Sequence, residues 1–420
     1  MSEVRKMRWK FIVFLIWVFC CSATNTHDWP MFQHDTQHTG YSPSTMPEPL
    51  QKMWVYKEYG KLGGYIVVSG ERIFAVQDLY ISSLDITTGS VLWSSRVSQL
   101  PHFPAAAHNN VYASTSGSIL CLDADTGETR WKYKVGSTDL YCSPLVVDRY
   151  VIVGTGGRTQ GPGWDYGRRV LCLNGETGDV VWEFYAHKDI YFSPAYSDSR
   201  VYANDGKNIY CLDEQTGALT WERETEWTNF SSLSLNENRI FVGTHKGVAC
   251  LDGETGDILW HFECDSRIFT TPAVAYNKIF IGSPDGEFYC LNTCTGEFIW
   301  KIQTENAIST SIVVADKKVV FGTVKGVIYI VKAESGKICE SYQLGDSGIS
   351  ALVLSNGKLI VGQDTGVITC FESTESPYKK VTLAVLTAAI ATLIVIWIWH
   401  RRTSSLLQVE EQNRAKRLID

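Results

Sequence analysis

The sequence predicts an all-β fold: an eight-bladed β-propeller closed by an N-terminal strand, with one C-terminal transmembrane helix. Three observations carry this expectation. First, a motif Asp/Asn-x-x-Thr-Gly, with tryptophan four residues after the glycine, is written six times. The copies are Asp85, Gly89 and Trp93; Asp123, Gly127 and Trp131; Asn174, Gly178 and Trp182; Asp213, Gly217 and Trp221; Asp252, Gly256 and Trp260; Asn292, Gly296 and Trp300. Second, the glycines fall 38, 51, 39, 39 and 40 residues apart. A strand-rich unit of that period is one propeller blade, which cannot bury its faces alone. Third, Val381–Trp399 is nineteen residues without a charge, long enough to cross a bilayer.

One repeat justifies the blade. In 266–300 the runs Thr271–Ala275, Lys278–Ile281, Glu287–Leu291 and Glu297–Lys301 are rich in β-branched and aromatic residues. Asn277, Pro284-Asp285-Gly286 and Thr295-Gly296 separate them, the pattern of successive antiparallel hairpins. The Thr-Gly pair falls between the third and fourth strands, where glycine permits a positive φ. The preceding Asp or Asn can turn its oxygen onto the turn amides. The tryptophan then opens the outermost strand, in the blade-to-blade contact. Trp54 matches this position without a Thr-Gly before it, and a worn seventh copy at Ser335 and Gly336 has Glu340 in place of tryptophan. Leu359–Glu372 supplies inner strands but no fourth. If the strand around Trp54 completes that blade, the ring closes at eight and leaves only short sheet edges.

The flanking segments follow in chain order. Residues 1–23 read as a secretory signal: basic residues to Lys10, the apolar run Phe11–Cys21 and Ser22-Ala23. An uncleaved anchor and a lipoprotein modified at Cys20 are the alternatives. Residues 24–50 form a lead-in, 51–372 the propeller, 373–380 a linker, 381–399 the span and 400–420 a tail. Arg401, Arg402, Arg414, Lys416 and Arg417 outnumber Lys379 and Lys380, which puts the tail in the cytoplasm and the propeller outside. Residues 1–10 carry +3 and 379–420 carry +4 of a net −7, so 11–378 carry −14. Such a surface excludes nucleic acid as the expected partner.

The repeat Ala/Cys-Leu-Asp-x-x-Thr-Gly-x-x-x-Trp resembles that of the pyrroloquinoline-quinone-like propellers. Trp29-Pro-Met-Phe-Gln-His-Asp35 and His38-Thr-Gly40 resemble the lead-in before many of them. The resemblance covers about residues 28–372 and implies the propeller fold. That family holds quinone-dependent alcohol dehydrogenases and non-enzymatic outer-membrane assembly lipoproteins, the BamB-like branch. For the dehydrogenases it implies adjacent cysteines, a tryptophan platform, Glu/Asn/Asp calcium ligands and a catalytic Asp. Here the only Cys-Cys pair is Cys20-Cys21, in the signal segment. The motif Asp residues recur in every blade, so none stands out as a base. The expectation is a non-enzyme without cofactor or metal.

Cys121, Cys172, Cys211, Cys250, Cys290 and Cys370 share one slot, two residues before the motif Asp/Asn or its equivalent. The resemblance puts alanine there, so they read as small buried residues too far apart to bridge. Cys142, Cys264, Cys294 and Cys339 are left open for pairing. His34, Asp35 and His38 have metal-ligand types, but Pro30 and Gly40 flank them without a third ligand, and a lead-in packed on the propeller is the preferred reading. Asn229-Phe-Ser231 is a sequon in an expected inner strand. The oversized repeat carries a loop whose Arg158, Trp164, Asp165, Tyr166 and Arg168 are of types favoured in binding surfaces; a loop packed on its own blade is the plain alternative. Tyr141 and Tyr191-Phe192, before inner-strand Ser-Pro pairs, are candidates to line the channel on the same face, with core packing the preferred reading of each taken singly. The expected function is a membrane-anchored protein-binding or assembly scaffold, whose partner binds the face away from the bilayer. A quinoprotein oxidoreductase and a lumenal or extracellular sensor are the rivals.

Overall fold

The computed structural model describes residues 28–57, 62, 66–98, 101–135, 140, 142–156, 167–308 and 310–373. The signal segment 1–23, residues 157–166 of the oversized loop and the apolar run 381–399 lie outside the described residues. Among the described residues no helix is long and apolar enough to cross a membrane.

Eight four-stranded sheets account for every described strand. Blades 1 to 7 span 67–96, 101–134, 145–185, 195–224, 234–263, 273–303 and 313–343. Blade 8 takes Ile349–Ser355, Lys358–Gln363 and Val367–Ser373 from late in the chain and Leu50–Lys57 from early in it. Successive innermost strands touch all the way round, and that of blade 8 touches that of blade 1. The closure expected from Trp54 is therefore the closure observed. Two compact units divide the chain: residues 1–47 with 52–372, and residues 48–51 with 373–420. In the second, Ser373 Oγ donates to the Glu48 carbonyl at 2.7 Å.

Strand edges differ locally from the sequence expectation. The innermost strand of blade 6 starts at Ala273, not Thr271. Pro272 has no N–H to give, and Thr270 Oγ1 instead bridges Gly282, donating to its carbonyl at 2.9 Å and accepting its N–H at 3.1 Å. Five of the eight first-to-second turns carry paired positive φ without glycine, as at Asp198-Ser199 and Tyr276-Asn277. That backbone matches the right-handed twist of the flanking strands.

The repeat motif is an inter-blade lock. Each indole Nε1 donates to a carbonyl in the next blade's turn: Trp54 to Ile86, Trp93 to Ala124, Trp131 to Gly175, Trp182 to Glu214, Trp221 to Gly253, Trp260 to Thr293 and Trp300 to Ala333. The same ring lies flat against the motif glycine of that turn. A methyl group on Gly217 would stand 2.6 Å from the Trp182 ring, and the corresponding distance at Gly89 beside Trp54 is 2.5 Å. Within the blade, the small slot residue pairs across the ladder with the tryptophan: Cys172 with Trp182, Cys211 with Trp221, Cys290 with Trp300. Where Glu340 replaces tryptophan, its partner is the larger Ile330. Blade 8 takes its fourth strand from the start of the chain, so it has no Thr-Gly turn on which a tryptophan at position 340 could dock.

The ten described cysteines are free thiols. Those of the shared slot are buried, and burial pushes Cys121, Cys172, Cys250, Cys290 and Cys370 up to about 12. Thiols held so far above neutrality are inert. Native labelling with a maleimide should modify the exposed Cys294 and Cys339 first, and the slot cysteines only after denaturation; mass mapping of the labelled peptides checks this.

Candidate functional site

The lead-in does more than lie against the disc: it fills the axis. Backbone N–H groups of the innermost strands donate to its carbonyls in succession, Val68 to Trp29, Ala106 to Pro30, Tyr196 to Thr36, Leu235 to Gln37, Val274 to Thr39 and Val314 to Gly40. Six of eight blades are thus bonded to one twelve-residue stretch, whose Trp29, Met31 and Phe32 are buried. Its ends meet the first-to-second turns. Asp28 accepts the Gly70 N–H at 2.9 Å, and Ser44 Oγ accepts that of Gly357 at 2.7 Å. The segment therefore enters and leaves through the face that carries the Thr-Gly turns.

The metal-type residues of the lead-in are spent on this structure. Asp35 accepts from the Gln37 and Thr39 amides at 3.1 and 3.0 Å and from the Thr39 hydroxyl. His38, 2% exposed, has Nδ1 2.9 Å from the Leu233 carbonyl, and burial pushes it down to about 4. Among the described residues no group of three or more His, Cys, Asp or Glu is arranged to hold a metal ion.

On the opposite face, the described residues around the root of the oversized loop can be placed. Arg158, Trp164, Asp165 and Tyr166 lie outside the described residues. Arg168 is described, and its Nη1 donates to the His187 carbonyl at 2.9 Å. At the loop's root, a methyl on Gly156 would stand 2.6 Å from the Tyr191 ring, so the loop springs from beside that residue. Tyr191 is 42% exposed and donates to Asp189 at 2.8 Å. Sequence reasoning misses two further aromatics, Phe230 and Phe269, although each stands two residues before the hydroxyl slot, as Tyr191 does before Ser193. Aligning the repeats on that slot would find them. Their rings meet at 5.2 Å, Phe269 is 48% exposed, and Arg267 lies 5.9 Å over Phe230. Below this arc, the Ser143 amide donates to Ser193 Oγ at 2.8 Å and the Ser193 amide to Ser232 Oγ at 3.0 Å. Such a surface can take rings, apolar side chains and cation–π contacts. The sequon residue Asn229 is 1% exposed, its side chain directed at Asn204.

Eight sheets, seven of their eight contacts locked by docked tryptophans, around an axis filled by the chain's own lead-in define a closed repeat propeller. The chain belongs to the family of the outer membrane protein assembly factor BamB, whose repeat profile matches residues 52–133, 163–234 and 205–376. Among solved structures it is similar to BamB from Moraxella catarrhalis, with 20% identity, TM-score 0.63, 78% of this chain and 98% of that one. It is also similar to the quinohemoprotein alcohol dehydrogenase of Comamonas testosteroni, with 14% identity, TM-score 0.70, 83% of this chain and 81% of that one. At these identities the likeness shows the fold alone. A polyvinylalcohol dehydrogenase from Sphingopyxis sp. (strain 113P3) is 24% identical over 159 residues, 32% of this chain, and the match spans only 24% of that enzyme's length.

Proposed function

We propose that the protein is a membrane-anchored, extracytoplasmic propeller that acts as a protein-binding or assembly scaffold. The observation that carries this reading is the filled axis: with residues 29–40 bonded to six blades, a ligand is left the faces and rim of a rigid ring. The anchor follows from the sequence. The strand Val367–Ser373 pairs Leu359 with Phe371, which brings Lys358 opposite Glu372 as Arg72 stands opposite Asp85. The chain thus leaves on the face of the Thr-Gly turns, and the uncharged run 381–399 follows. The bilayer then underlies that face, the tail 400–420 is cytoplasmic, and the aromatic arc with the 158–168 loop faces the partner. Copurification from membranes tests this. A protein retained by the wild type should be lost from a variant lacking 158–168; retention of every partner removes the loop from the binding surface.

A second reading is favoured by the similarity to polyvinylalcohol dehydrogenase: a quinone-dependent oxidoreductase. Addition of pyrroloquinoline quinone and calcium, followed by dye reduction with alcohols, separates the two. Turnover would replace the scaffold reading with an enzyme.

A further inference from the structure

The second strand of each blade opens with a residue that stands opposite the end of the third strand. These residues are Arg72, Asn110, Tyr150, Arg200, Arg239, Lys278, Lys318 and Lys358, six of them basic. Three of them, Arg72, Arg200 and Lys278, reach the next blade's Thr-Gly turn, whereas Lys358 pairs with Glu372 of its own blade. Arg72 pairs with Asp125 at 2.7 Å and donates to the Ala124 carbonyl at 2.6 Å. Lys278 pairs with Glu334 at 3.0 Å, and Arg200 donates to the Gly253 carbonyl at 3.4 Å. The acids concerned, Asp125 and Glu334, stand two residues after the motif position.

Between blades 2 and 3 this staple is broken on one side only. The acid is present as Glu176, but the base is replaced by Asn110, too short to cross. A cleft of about 510 Å³ opens there, lined by Asn110, Tyr112, Arg130, Asp148, Arg149 and Glu176 among others. That volume lies within the range of small-ligand sites. Asn110 is 5% exposed, and its side-chain oxygen has no hydrogen-bond partner. The two cations in the cleft are engaged: Arg130 with Asp123, and Arg149 with Tyr150, whose hydroxyl it reaches at 3.0 Å and whose ring it overlies at 5.2 Å. The two anions, Asp148 and Glu176, make no ion pair among the described residues. The unmet groups are therefore acceptors, in the place where the interfaces between blades 1 and 2, 4 and 5, and 6 and 7 hold an arginine or lysine head.

We propose that this cleft binds an alkylammonium or guanidinium group, which supplies the base that Asn110 does not. The group can come from a free amine or from a lysine or arginine side chain of a partner.

The test is calorimetric titration of the full-length chain with n-butylguanidinium, with n-butylurea as the neutral isostere. Exposed carboxylates such as Glu176 and Asp148 attract only modestly, so millimolar binding is expected for the cation and none for the urea. Glu176→Gln should abolish it. Asn110→Arg should also abolish it, because a tethered guanidinium then occupies the cleft. Glu334→Gln, where Lys278 already supplies the base, should leave it unchanged. A short blocked peptide with one arginine, compared with free agmatine, distinguishes the sources: the tighter binder identifies which one the cleft selects. No binding by the wild type, or binding retained in Glu176→Gln, overturns the proposal. Should Asn110→Arg fail to fold, the Glu176→Gln and Glu334→Gln pair still decides it.

Discussion

Trp182→Ala is expected to lower the unfolding free energy by about 3–5 kcal/mol, the range for removing a buried large aromatic. Trp182 is 6% exposed and loses both its packing and its 2.7 Å bond to the Glu214 carbonyl. The Glu214 carbonyl is then left without that donor. Gly217→Ala attacks the same contact from the other side. At φ +68° a side chain costs roughly 1–2 kcal/mol, and its methyl would also stand 2.6 Å from the Trp182 ring. The second penalty disappears once the ring is gone. The double variant should therefore be less destabilised than the sum of the singles, by more than about 0.5 kcal/mol, the usual scatter for independent sites. Urea denaturation of the four proteins, followed by circular dichroism, measures the cycle. Strict additivity would mean that the ring and the glycine do not touch in solution.

This contact also marks how far the sequence can be read. The positive φ of the motif glycines is legible, because Thr-Gly between two strands calls for it. That the glycine must also be bare for the preceding blade's indole is not, since the partners lie 35 residues apart, as Trp182 and Gly217 do, with nothing local to join them. The same long-range logic explains features that look like decay of the repeat. Glu340 stands where no turn exists to receive a tryptophan, and Ile330 takes up the room left beside it. The slot cysteines are small because each faces an indole. Trp54 can be placed from sequence because it keeps the repeat's spelling, and that one residue counts the blades.

The lead-in keeps no spelling at all. Residues 29–40 have no period, and their partners stand as far off as Tyr196 from Thr36 or Val274 from Thr39. Neither turn chemistry nor alternation signals a segment whose amide partners come from six different sheets. The sequence therefore supports packing against the disc but not occupation of its axis. The binding face is only half legible. Tyr191 stands out beside a Ser-Pro pair, whereas Phe230 and Phe269 precede Ser-Ser and Thr-Thr and do not.

Because the lead-in bonds so many blades, its one deeply buried histidine should give the ring a measurable acid limb. His38 is held at about 4, chiefly by burial, against an ordinary value of 6.5. Above pH 6.5 it is neutral folded or unfolded, and its contribution is complete. Between 6.5 and about 4 the unfolded chain takes up a proton that the folded chain refuses, so stability falls as the pH falls. Over that window the loss is about 3 kcal/mol at 1.36 kcal/mol per unit. Asp35 does not mask it. Burial raises the Asp35 carboxyl, but hydrogen bonds from His34 and Thr39 prevail and hold it below 3.8, so its own loss comes at lower pH. His261 is also lowered by burial and acts in the same direction. The informative quantity is therefore the difference between the wild type and His38→Gln, whose amide can still donate to the Leu233 carbonyl. Urea titrations at intervals from pH 7 to pH 4 should show the wild type losing about 3 kcal/mol more than the variant. Parallel curves would mean that His38 is protonated in the folded ring, and that the axis is open to water.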